Sequence, residues 1–526
     1  MDNFIKILKP TEENIYILPG YPNLPGTNYV GGEINFNIVS KYGKKLKILI
    51  FRKEENEPSF EISCPHNFRL GFQFSFRIGG IDWSLYDYVF RMEGMKDEKE
   101  GLLFDENNFL LDPYANKING MEKWGEERTL LKSEILPSDF VFNNVNNYRK
   151  KTENLIIYEM HLRGFTAGEE DNEFRGTYLG LQKKIPYLKK LGVNCVELMP
   201  IFEFDELQNT NLDLMGHRLK NYWGYSTVSF FAPKSGYAYG EVISELKQLI
   251  AEFHKNDIEV WLDVVFNHTA EMGSDGPCYS FRGLDNKTYY MLDEEGNPLN
   301  YTGCGNTFNC NNVIVRDFII NCLRYWKTEF SADGFRFDLA SVMTRDEKGN
   351  VLSNPPLLER ISNDPILADC RLVAEPWDAV GLYQLGMFYD NSRWLEWNGK
   401  YRDTVRRFLR GDDNIISELK NRIDGSADLY GNSNLCSINF ICCHDGFTLM
   451  DLFSYNEKHN ENNGEINRDG SDWNLSCNFG VEGETDNPDI LALRKKMIKN
   501  ALIILFMSKG IPMILMGDEC GRTQKG

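Results

Sequence analysis

Four apolar runs of strand length in the second half of the chain each give way to a polar group that can do chemistry. They are WLDVVFNH (Trp261 to His268), ADGFRFDLA (Ala332 to Ala340), LVAEPWD (Leu372 to Asp378) and SINFICCHDGF (Ser437 to Phe447). A carboxylate is costly in a buried run unless something pairs with it. Four such interruptions at the same end of their strands predict one active site assembled from separate loops.

The residue types suit cleavage of a glycosidic bond with retention. That reaction needs two carboxyl groups about 5–5.5 Å apart, one a nucleophile and one an acid/base. Asp338 ends one strand and Glu375 the next, and neighbouring strands lie roughly 4.8 Å apart. Arg336 stands two residues before Asp338, so alternation aims both into one layer, where the guanidinium would pair with the nucleophilic carboxylate. Glu375 lies beside Pro376 and Trp377. The nearby charges of Asp338 and Asp445 should raise its pKa, leaving a proton for the departing oxygen. Asp445 is placed to balance positive charge on the sugar ring. His268 and His444 can donate to sugar oxygens, and Tyr225, in NYWGYSTVSFFAP, offers a ring face to a pyranose.

Taken singly, these residues have ordinary readings. Asp263 is expected to support Arg336 from beneath rather than to react, and an Arg–Asp pair is commonly just an ion pair. A lone His268 or Tyr225 would more often be core. The joint placement of Asp338, Glu375 and Asp445 at strand ends favours catalysis.

To bring these ends together the chain must form a parallel sheet. From Leu155 onward strand-like runs alternate with helical ones: LIIYEM, a helix around Tyr178 to Leu191, CVELMP, a helix over Tyr239 to Asn256, and EVWLDVVF. A helix over Val313 to Phe330 precedes GFRFDLA, and RLVAEPW, WLEWNG, SINFICCH and MILMGDE complete eight strands. Alternating β and α elements in eight units predict an α/β fold, a closed (β/α)8 barrel whose reactive groups sit at the C-terminal strand ends. Residues 1–147 read instead as an all-β sandwich, with GGEINFNIV, LKILIF and FQFSFRI between turn residues. Residues 148–526 are the barrel, carrying a long insertion over about 269–312; a loop of that size is usually functional. A second long loop, Asn456 to Gly483, is expected to be either solvated surface or substrate contact.

With 526 residues the chain should divide into two or three domains. Its net charge of −19 argues against nucleic acid or an anionic membrane as partner, while a neutral substrate tolerates it. The twelve cysteines show no C-x-x-C pair, so buried reduced thiols are expected rather than zinc. Cys442 and Cys443 should point to opposite faces. The N-terminus lacks the apolar stretch of a signal peptide, and no run is long enough to span a bilayer. A soluble, cytoplasmic protein is expected.

DVVFNH, GFRFDLA, AEPW and HDGF resemble, in order, the four conserved regions of the α-amylase-type glycoside hydrolases. LIIYEMHLRGFT, GCGNTFNCN, LEWNGKYRDTVRRFLRG and HDGFTLMDLFSYNEKHNE look like the isoamylase and glycogen-debranching branch. The resemblance implies Asp338 as nucleophile, Glu375 as acid/base and Asp445 as transition-state stabiliser, with Arg336, His268, His444 and Tyr225 around the innermost sugar. It implies hydrolysis of α-1,6 branch linkages in glycogen, amylopectin or limit dextrin, with a glucan-binding module at the N-terminus. No organic cofactor is called for. The calcium usual in that family is not implied by any oxygen-ligand cage in the sequence.

Two departures stand out. The chain stops at MGDECGRTQKG after strand eight, so the usual last barrel helix and C-terminal β domain are expected to be absent. The outer faces of strands one and eight should then lack cover, and the protein be unstable or weakly active. Such relatives also tend to place a Trp where Cys477 stands, a loss that Trp473 could make good. The alternatives are an α-1,4-acting amylase or glucanotransferase of the same chemistry, or a non-catalytic glucan-binding fragment.

Overall fold

A computed structural model describes residues 4–128, 130–137, 150–389, 393–431 and 433–526. The expected junction at 147/148 lies outside the described residues.

The N-terminal part is built from antiparallel sheets. A six-stranded sheet runs in the order Ile5–Ile7, Phe60–Ser63, Lys45–Arg52, Tyr86–Glu93, Lys132–Glu134, Lys117–Asn119. A five-stranded sheet is led by Glu33–Val39 and Gln73–Gly79. Alternation in EINFNIV turns Ile34, Phe36 and Ile38 inward against Leu46, Ile48, Phe76 and Phe90. The Phe36 and Phe76 rings stack at 5.4 Å. That core continues into Val228, Ala232, Ala270 and Leu284 of the following part, so the two share apolar packing.

The rest forms a closed parallel barrel of eight strands: Ile157–Met160, Cys195–Leu198, Glu259–Val264, Gly334–Phe337, Arg371–Ala374, Trp394–Trp397, Ser437–Asn439 and Ile511–Leu515. Seven fall within a predicted run, and strand eight begins two residues before its run, at Ile511. Strand seven stops well before its apolar run does. Asp338 and Glu375 directly follow strands four and five, whereas His444 and Asp445 lie in the loop beyond strand seven. Strand seven ends at Asn439, and the loop that follows turns at Gly446 with φ +80°. Cys442 joins the outer core and Cys443 the inner one, on opposite sides of the wall.

Helices Val242–Lys255 and Val313–Phe330 cover the outside, the second capped by Asn312 accepting from the Ile314 N–H. The expected helix over Tyr178 to Leu191 is two short ones, Tyr178–Gln182 and Ile185–Leu191. Pro186, lacking an N–H, starts the second rather than continuing the first.

Strand one is not left bare as expected. Tyr158 and Met160, its outward residues, are fully buried, and Ile514 of strand eight nearly so. The Tyr158 ring lies against Phe165. Apolar exposure falls instead on the helix Pro488–Met507, where Ile503, Phe506 and Met507 face solvent. Among the described residues no helix is long and apolar enough to cross a membrane, and all twelve cysteines are free.

The insertion after strand three carries its own helix, Phe281–Tyr289, and docks on the N-terminal sheets. Buried Asp285 accepts from the Lys41 N–H (2.6 Å), the Tyr42 N–H (3.1 Å) and Ser40 Oγ (3.3 Å). Ser280 Oγ donates to the Leu111 carbonyl, and Asn286 to that of Gly101.

Candidate active site

Arg336 is the hub of the barrel mouth. Registered beside Asp263 across strands three and four, its Nη1 donates to both Asp263 oxygens at 3.0 Å and to Asp338 Oδ1 at 2.9 Å. Its Nη2 lies 3.0 Å from Glu375 Oε2, an ion-pair contact short of hydrogen-bond geometry. The guanidinium also rests 4.3 Å over the Trp397 ring of strand six. One buried cation therefore touches three carboxyl groups.

Asp338 is further held by Asn267, whose Nδ2 donates at 2.8 Å to both its carbonyl and its Oδ2. Leu339 follows in the left-handed region (φ 41°), strained for a side chain of that size. Its N–H donates to Glu375 Oε2 at 2.7 Å. Burial pushes Glu375 up to about 8, opposed by Arg336 and reinforced by Asp338 and Asp445. Burial thus contributes more than the neighbouring carboxylates on which the sequence argument rested.

Asp263 is buried and supports the site, accepting from Tyr225 Oη at 2.6 Å. Burial lifts it to about 6 against the pull of Arg336. The Tyr225 ring stacks on His444 at 4.8 Å, so one of its faces is occupied. His444 Nε2 is 3.5 Å from Asp445 Oδ1. Asp445 is itself exposed at the mouth. His268 bonds Asn267 Oδ1 through Nδ1, and burial lowers its pKa, leaving a neutral ring. All eight residues singled out in the sequence thus belong to one connected network.

Others in it were not singled out. Asn267, within DVVFNH, orients Asp338. Glu159 of strand one bonds His444, and Glu197 of strand two lies registered beside Glu159. Both interrupt buried strands with a carboxylate, the signal that marked the other four runs. Trp397 carries no such signal.

The rim is built by two loops that touch: Asn211 donates to the Asn463 carbonyl and to Glu465 Oε1. Ile466 and Trp473 stand in solvent there, while Cys477 is half-buried. Among the described residues, only Cys443, His444 and Asp445 bring three ligand-type atoms together. His444 Nδ1 is already bonded to Glu159, so this is no ready metal cage. In the insertion, the carbonyls of Glu271, Met272, Gly273 and Gly276 converge on the Arg282 guanidinium. A side-chain cation fills that turn.

Residues 135–302 match the family described as "Alpha amylase, catalytic domain". Isoamylase 1, chloroplastic, of Oryza sativa subsp. japonica is 43% identical, the match covering 97% of this chain and 68% of that one. The chain belongs to the isoamylase branch of the α-amylase-type glycoside hydrolases. Further members of this isoamylase group are similar over comparable spans. Isoamylase 1, chloroplastic, of Arabidopsis thaliana is 42% identical over 100% of the chain and 72% of its own length. A glycogen debranching enzyme of Enterobacter sp. (strain 638) is 36% identical over 96% and 79%. Among solved structures, pullulanase from Bacillus acidopullulyticus superposes with a TM-score of 0.73 at 23% identity. That match covers 95% of the isoamylase-type chain but 58% of the pullulanase; it shows the shared fold.

Proposed function

We propose that this enzyme hydrolyses α-1,6 branch linkages in glycogen or starch-like glucans by double displacement with retention. Asp338 attacks the anomeric carbon while Glu375 gives its proton to the departing glycosidic oxygen, breaking the C–O bond and leaving a glycosyl ester on Asp338. Glu375, now a carboxylate, takes a proton from water, whose oxygen displaces Asp338. Asp445, exposed at the mouth, balances charge on the oxocarbenium-like sugar. His268, His444, Tyr225 and Arg336 surround that sugar, and Asp263 supports Arg336.

The observation carrying this reading is that one guanidinium touches both Asp338 and Glu375. Two carboxyls that share one guanidinium, one of them with its pKa raised to about 8, suit a nucleophile and an acid/base. Relatives named isoamylase and glycogen debranching enzyme favour the branch linkage over an α-1,4-acting amylase or glucanotransferase.

The N-terminal sheets are read as a glucan-binding module. A half-exposed row supports this: Tyr16 Oη donates to Glu33 (2.9 Å), Glu33 pairs with Arg77 (2.6 Å), and Arg77 lies over the Tyr21 ring (4.3 Å). Tyrosine faces beside polar groups suit sugars. Twelve free thiols fit a reducing compartment such as the cytoplasm.

Incubation with glycogen tests the activity. Linear oligosaccharides support debranching, whereas branched dextrins alone count against it. Glu375→Gln should abolish turnover and preserve glucan binding. An unmutated chain that binds glycogen without cleaving it would be a binding protein only.

A further inference from the structure

His444 is held from behind by a residue with no role in the scheme above. Glu159 Oε2 accepts from the His444 N–H at 2.9 Å, and its Oε1 from Nδ1 at 2.6 Å. Glu159 is buried in the barrel interior on strand one, while His444 comes from the loop after strand seven. Two bonds from one carboxylate fix both the backbone and the ring of a residue in a distant loop. Tyr225 stacks on that ring at 4.8 Å and Trp223 abuts it edge-on at 5.1 Å. Only Nε2 is left facing the mouth, towards Asp445.

We infer that Glu159 is a positioning residue that keeps His444 as an imidazolium, with Nε2–H aimed at the substrate sugar. The inference rests on the reading of this mouth as the glycosidase site. A neutral imidazole has one donor, whereas the cation has two, so Nδ1 can serve Glu159 while Nε2 serves a sugar hydroxyl throughout the working pH range. Hydrogen bonds to a sugar hydroxyl that strengthen in the transition state contribute to catalysis.

The carboxylates facing the ring outweigh burial and Arg336. Burial lowers the pKa of His444, but Asp445 and Glu159 carry it to about 10, with Arg336 opposing. Asp263 of strand three adds its charge, and Tyr225 Oη stands 3.3 Å from Nδ1. Glu197 of strand two is the neighbour that must not be charged. Among the described residues neither of its carboxyl oxygens has a hydrogen-bond partner, and burial, then Glu159, hold its pKa well above the carboxylate range. As a neutral acid it leaves the Glu159–His444 pair undisturbed.

The test combines two glutamine variants with a titration of the unmutated enzyme. The ring carbon resonance of His444 in histidine-labelled protein should stay at its imidazolium position from pH 5 to about 9; a midpoint near 6.5, the ordinary histidine value, would overturn the inference without any variant. Glu159→Gln removes the charge and keeps the shape. Its kcat/KM should approach the unmutated value at pH 5 and fall about tenfold per pH unit once the released histidine deprotonates. The unmutated enzyme should hold its rate to about pH 8. A uniform loss at all pH values would mean that Glu159 only supports the fold, and would overturn the inference. Glu197→Gln, equally buried but not bonded to His444, should leave the alkaline limb in place; a matching displacement there would also overturn it. Absence of turnover in the unmutated enzyme would sink the glycosidase reading instead, and the resonance titration would still decide the role of Glu159.

Discussion

Asn267 Nδ2 donates to the carbonyl and to the carboxylate of Asp338, both at 2.8 Å. Asp338, the proposed nucleophile, is thereby tied to the loop after strand three as well as to Arg336 on its own strand. A hydrogen bond to a charged group contributes about 1.5–3 kcal/mol. Asn267→Ala should therefore lower kcat by roughly ten- to a hundredfold with little change in the urea midpoint. An unchanged kcat would show that Arg336 alone positions Asp338.

In the proposed mechanism the proton on Glu375 sets the alkaline limit. Its pKa is raised to about 8 by burial, and the first step needs the protonated form. The rate on glycogen should be level through neutrality and fall about tenfold per pH unit above that value. A limb near pH 5 would mean that Arg336 outweighs burial and that another group supplies the proton.

Arg336 should not tolerate replacement, even by lysine. A lysine presents a compact ammonium in place of a planar fork and cannot reach Asp263, Asp338 and Glu375 together. Arg336→Lys should reduce kcat by at least about a hundredfold, and Arg336→Ala, which strands buried carboxylates, should also cost about 3–5 kcal/mol of stability. Wild-type kcat in the lysine variant would refute the shared-cation picture.

A second buried cation has a purely structural task. Lys234, fully buried, bonds Glu203 at 2.8 Å and Glu206 at 2.9 Å. Burial pushes Glu206 up, but Lys234, the Gly125 N–H and Arg128 bring it down to about 2. A lowered carboxylate pKa stabilises the fold above its ordinary value of 4.5 and loses that contribution as pH falls towards 2. Lys234→Met should cost about 3–5 kcal/mol near neutral pH, and less in acid. Denaturant midpoints at two pH values check both parts.

The eight strands were legible because each is a short apolar run between turn residues, and the site because carboxylates interrupt four of those runs. The same rule applied to LIIYEM and CVEL would have marked Glu159 and Glu197, which lie one layer inside the wall. Apolar composition did not reveal where strand seven stops, since Ile441 and Cys442 remain buried after the ladder has ended. The sharing of Arg336 among three carboxyls depends on rotamers and on Trp397 beneath it, which no spacing encodes. The insertion's task was equally hidden. Asp285 looks like any loop acid until the turn at 40–42 is brought against it.

That turn gives the molecule a particular kind of indivisibility. Asp285 fastens the insertion to the first sheets, and the insertion, through Phe308 donating its N–H to the Asn267 carbonyl, braces the residue whose amide grips Asp338. A chimera keeping the barrel but exchanging the N-terminal region would have to import the Ser40–Tyr42 corner with it, or accept a blunted reaction centre some distance from the graft.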